Sequence, residues 1–93
     1  MKSRTILIGL MTMILSCPLF AAFSVDELHA ASKAAVADFL RMNAEHAAHL
    51  VGYKTWKSGD DAMVKVYVNH EGHAMDFNYH CHKHGSDIEC HAQ

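Results

Sequence analysis

The dipeptide Gly85-Ser86 constrains this chain most, because a two-residue turn centred there fixes the pairing of every residue on either side of it. It sets His84 opposite Asp87, Lys83 opposite Ile88, His82 opposite Glu89, Cys81 opposite Cys90 and His80 opposite His91. In such a hairpin the flanking pair is hydrogen-bonded and the pairs then alternate, so Cys81 and Cys90 form a closely spaced non-hydrogen-bonded pair. That spacing suits a disulfide. Alternation also gathers His80, His82, His84, Asp87, Glu89 and His91 on the opposite face of the ribbon.

The period of two extends upstream. Val51, Tyr53 and Thr55 alternate with Lys54 and Trp56, and Val64, Val66 and Val68 alternate with Lys65, Tyr67 and Asn69. A turn centred on Ser58-Gly59 places Tyr53 opposite Val64 and Val51 opposite Val66. One centred on Glu71-Gly72 places Val68 opposite Met75, Val66 opposite Phe77 and Val64 opposite Tyr79. All three turns therefore give the apolar residues one common face.

From Val25 to about Leu50 there is neither Gly nor Pro, and Leu28, Ala35, Val36, Phe39, Met42, Ala47 and Leu50 lie along a helical stripe. This predicts one long amphipathic helix. Ala30, Ala34, Ala37, Ala44 and Ala48 raise its helix propensity and suit close approach of another surface. Ser24-Val-Asp-Glu27 has the form of a capping box, with Phe23 placed to staple onto Leu28. The expected fold is α+β: one N-terminal amphipathic helix packed on a four-stranded antiparallel β-meander, with the C-terminal hairpin stapled by a disulfide. Residues 23–93 read as one small domain.

Residues 1–22 read as a secretory signal: Lys2 and Arg4, an apolar run from Ile6 to Leu15, and a small-residue ending at Ala21-Ala22. The run is short for a bilayer span. Ile14-Leu15-Ser16-Cys17 loosely resembles a lipobox, which offers lipid anchoring at Cys17 as a lesser alternative. Removal of the signal takes away the odd cysteine and leaves a pair suited to an oxidising compartment, most simply a bacterial periplasm. It also takes Lys2 and Arg4 from the eight basic residues that face ten acidic ones. An acidic mature chain argues against a nucleic-acid partner.

The same registers put Met63 beside His80 and His91, and Asp61 beside His82 and Glu89. Strands about 4.8 Å apart bring such neighbours within ligand reach, so His80, His82, His91 and Glu89 form a candidate metal set. Imidazoles with a carboxylate suit Zn, Ni or Cu, and participation of Met63 would favour Cu(I). The plain alternative is a wet polar sheet face. Glu45-His46-Ala-Ala-His49 has the wrong order for a His-Glu-x-x-His metalloprotease, so His46 and His49 read as helix-border histidines. His70 and His73 read as turn residues, and His29 has no assigned partner.

Trp56 and Tyr67, with Met63, project from the polar side of the sheet and are candidate anchors for another secreted or periplasmic protein, as in an inhibitor, an immunity protein or an adaptor. Histidine as a residue type changes charge near neutral pH, so a histidine-rich hairpin also implies an acid response, with His80 and His91 opposed. No nucleophile elbow, phosphate loop or dinucleotide fingerprint is present, and no catalytic residue is assigned. The sequence thus points to a small, secreted, non-enzymatic binding protein whose partner is a transition-metal ion or another protein.

Overall fold

A computed structural model describes residues 23–93. The expected signal segment and Cys17 lie outside the described residues. The elements follow in the order α1 (Val25–Met42), a 3₁₀ helix (Ala44–His49), β1 (Leu50–Ser58), β2 (Asp61–His70), β3 (His73–His84) and β4 (Asp87–Ala92). The strands form one antiparallel sheet in the order β1-β2-β3-β4, and α1 packs across its apolar face.

Helix α1 begins at the capping box. Ser24 Oγ accepts the Glu27 backbone N–H at 3.1 Å, and Glu27 Oε1 accepts the Ser24 N–H at 2.8 Å. Glu27 also meets Lys83 of β3 at 3.2 Å, which ties the helix start to the C-terminal hairpin. The backbone N–H of Ser24, followed by Lys83, holds the Glu27 carboxyl below the usual carboxylate range. Ser24→Ala is expected to cost about 1 kcal/mol by orphaning an N-terminal N–H, measurable as a lowered denaturant midpoint.

The long helix expected from Val25 to Leu50 is interrupted. The α-helix ends at Met42, and Asn43, with φ −131° and ψ 54°, turns the chain into the 3₁₀ segment. Both the backbone N–H and the side-chain Nδ2 of Asn43 donate to the Phe39 carbonyl, so the asparagine side chain competes for the helix end. Met42 is consequently 62 % exposed. Close approach to the sheet uses Ala31 and Ala35, both fully buried, while Ala30, Ala37, Ala44 and Ala48 face solvent.

The core consists of Phe23, Ala31, Ala35 and Phe39 against Ala62, Val64, Val66, Val68, Tyr79 and Cys81. Phe39 and Phe77 meet with ring centroids 4.9 Å apart. Ser32 is the one buried polar side chain among the described residues. Its hydroxyl reaches the Leu28 carbonyl at 2.9 Å and Thr55 Oγ1 at 2.6 Å, so it is fully partnered beneath β1.

The second and third turns have the expected registers, including Val66 opposite Phe77 and Cys81 opposite Cys90. The first does not. Its centre is Gly59-Asp60, which puts Tyr53 opposite Val66 and Thr55 opposite Val64. A positive φ is needed at the first central position, and Gly59 supplies it at 64°. Moving the centre by one residue shifts partners by two, so Tyr53 and Thr55 keep their face. A bulge between Leu50 and Gly52 then turns Leu50 inward opposite Val68 and leaves Val51, expected on the apolar face, 69 % exposed.

The second turn carries Glu71 at φ 53° before Gly72 at 84°. Positive φ suits Asn or Gly and costs other residues about 1 kcal/mol. Glu71→Asn is therefore expected to raise stability by roughly 0.5–1 kcal/mol, seen as a higher melting temperature with unchanged far-ultraviolet circular dichroism.

Candidate metal centre

Pairing within the β3-β4 hairpin sets His82 directly opposite Glu89 and His80 opposite His91, with His84 opposite Asp87 beside the turn. Cys81 and Cys90 are joined by a disulfide with Cα atoms 4.0 Å apart, so neither sulfur is a thiolate ligand. Cys81 lies fully inside the core, and the Cys90 sulfur sits 3.6 Å from the Ala31 carbonyl beneath α1. The hairpin is thus anchored on its inner face and presents its even-numbered β3 side chains outward.

On that outer face three imidazoles surround one carboxylate oxygen. Glu89 Oε1 lies 2.9 Å from His84 Nε2, 3.4 Å from His82 Nε2 and 3.6 Å from His91 Nε2. Ring centroids are 4.7 Å apart for His82 and His84 and 5.1 Å for His82 and His91. The hydrogen bond from His82, and then the charges of His84 and His91, hold the Glu89 carboxyl below its ordinary range. It is an anionic acceptor in a ring of nitrogen donors.

His82, His84 and Glu89 each offer one ligand atom, and these atoms lie within 4.8 Å of one another. Zn–N bonds of about 2.0–2.1 Å place tetrahedral donors roughly 3.4 Å apart. Rotation of exposed side chains closes that difference, since His84 is 63 % exposed and Glu89 55 %. The group can hold a metal ion, and its imidazole and carboxylate donors suit borderline divalent ions.

The residues singled out in the sequence divide here. His82, Glu89 and His91 come together, joined by His84, which the sequence-derived ligand set omitted. His80 turns aside, its Nε2 pairing with Asp61 Oδ2 at 2.8 Å. Met63 stands opposite His80, in the row that ends at His91. Strand alternation already placed His84 on the correct face, but its position beside the turn hid its reach to Glu89.

Trp56 pairs with Met63, so Trp56, Met63, His80 and His91 form a row across all four strands. Lys54 Nζ lies 5.4 Å from the Trp56 ring. Tyr67 sits two rows away, opposite Gly52 and Asp76, with Lys54, Lys65 and Asn78 between. The two aromatic residues are 36 % and 37 % exposed and do not share one patch. Among the described residues no helix is long and apolar enough to cross a membrane. No family model, curated protein or solved structure matches the chain.

Proposed function

We propose that this chain is a small exported, non-enzymatic binding protein that takes a divalent transition-metal ion at the tip of its C-terminal hairpin. The observation that carries the reading is the convergence of His82, His84 and His91 on one oxygen of Glu89. These ligands favour Zn²⁺, Ni²⁺ or Cu²⁺, which take imidazole and carboxylate donors. Their exposure suits exchange of an ion with other ligands more than enclosure of an organic substrate.

Export is supported by the charged, apolar and small-residue pattern of residues 1–22 and by a disulfide of the kind that persists in oxidising compartments. A periplasm is the simplest destination, with lipid attachment at Cys17 as the lesser alternative. A second reading, recognition of another periplasmic or secreted protein, is favoured by the Trp56-Met63-His80-His91 row, because aromatic and Met side chains are common interface anchors.

Titration with Zn²⁺, Ni²⁺ and Cu²⁺ against a chelator of known affinity tests the metal reading. A dissociation constant of about 1 μM or tighter for at least one ion at neutral pH supports it. Binding of all three weaker than about 1 mM removes it and leaves protein recognition.

A further inference from the structure

We infer that the chain carries a second metal-binding site, formed by His46, His49 and His70 with the Glu71 carboxylate beside His70, for a divalent transition-metal ion such as Zn²⁺. It lies at the far end of the sheet from the hairpin tip. His70 closes β2 and pairs with His73, whereas Asp61 opens β2 near the hairpin histidines. A ten-residue strand separates the two ends by roughly 30 Å. Eight of the nine histidines therefore sort into two groups, His46, His49, His70 and His73 at one end and His80, His82, His84 and His91 at the other.

The break at Asn43 creates the second group. In a 3₁₀ helix side chains at i and i+3 eclipse, so the Ala44–His49 segment sets His46 and His49 on one side. Both rings meet His70: the centroid of His49 is 4.2 Å from it and that of His46 is 6.3 Å. Two imidazoles bound to one Zn²⁺ at about 2.1 Å in tetrahedral geometry have centroids roughly 5 Å apart, between those two values. Glu71 Oε2 stands 3.8 Å from His70 Nε2.

In the structure His49 stacks on His70 with 27° between their planes, a geometry that must tilt open for both rings to face one ion. His70 is free to do so, with 44 % of its side chain exposed. His46 Nδ1 is buried and has no hydrogen-bond partner, so its ring gives up no hydrogen bond there when it turns. Glu71, held at positive φ, supplies a carboxylate at a turn position that backbone geometry would assign to Asn or Gly.

The test is Zn²⁺ titration of the metal-free protein followed by long-range ¹H–¹⁵N spectra of the imidazoles. The expected result is two equivalents bound, with His46, His49 and His70 nitrogens shifting in a step separate from His82 and His84. The triple variant His46→Gln, His49→Gln, His70→Gln should lose one equivalent and keep the hairpin step. His82→Gln with His84→Gln should lose the other. His46, His49 and His70 signals unmoved in the wild-type protein up to about 1 mM Zn²⁺ overturn the second site, whether or not the triple variant folds. Movement of those signals with silent hairpin histidines overturns the hairpin site alone.

Discussion

Replacing Cys81 and Cys90 together by alanine is expected to lower the thermal unfolding midpoint by roughly 10–20 °C. The two cysteines are nine residues apart, and closing so short a loop removes about 2.6 kcal/mol of unfolded-chain entropy in the loop-closure account. In a domain of this size each kcal/mol moves the midpoint by about 4–8 °C. Packing adds to the loss, because Cys81 is fully buried and Cys90 lies against the Ala31 carbonyl. Melting curves of the oxidised protein, the reduced protein and the double variant check this. A drop below about 3 °C would mean that the core, with Phe39, Val64, Val66 and Tyr79, holds the hairpin without the cross-link.

His82→Gln combined with His84→Gln is expected to weaken metal binding at least 100-fold while leaving the metal-free protein almost as stable. Loss of even an outer partner of a metal ligand costs 10–100-fold, and these two are the proposed direct ligands. Both side chains lie on the solvent face, 31 % and 63 % exposed, and their loss opens no cavity. Parallel titrations and melting curves separate the two effects. An unchanged affinity would move the site elsewhere.

The pH dependence of binding divides the ligands further. The Glu89 carboxyl is held below its ordinary range, so what its charge contributes is present above the unfolded carboxylate pKa. That contribution is lost only as pH falls through the depressed value. Between pH 7 and 5 it stays ionised and open to a metal ion. Glu89→Gln should therefore lower affinity at pH 7, read by parallel titration of the two proteins. An unchanged affinity in the variant would show that the carboxylate is not a ligand.

Much of this arrangement was legible because turn chemistry and alternation are local. Glu71-Gly72 and Gly85-Ser86 fixed two registers, and the second of them gave the disulfide and the histidine face together. The first turn was harder, since Ser58-Gly59 and Gly59-Asp60 both have turn composition and differ only in which central position takes positive φ. The bulge at Val51 left no Gly or Pro signature beyond Gly52. The helix end left only Asn43, a weak helix former whose side chain reaches the Phe39 carbonyl.

Alternation names a face, and side-chain competition decides which residues converge on it. His80, His82 and His84 are equivalent in the sequence pattern, yet Asp61 reaches diagonally to His80 and withdraws it, leaving Glu89 to His82, His84 and His91. The apposition of the 3₁₀ helix and His70 was likewise hidden, because it depends on where α1 stops.

The most direct test of the central claim is a native mass spectrum of the protein recovered from the organism that makes it, before any chelator treatment. The expected mass is that of the disulfide-bonded chain with Zn, Cu or Ni retained in whole-number stoichiometry and lost on acidification. A metal-free protein that also fails to take up added Zn²⁺ or Cu²⁺ would contradict it.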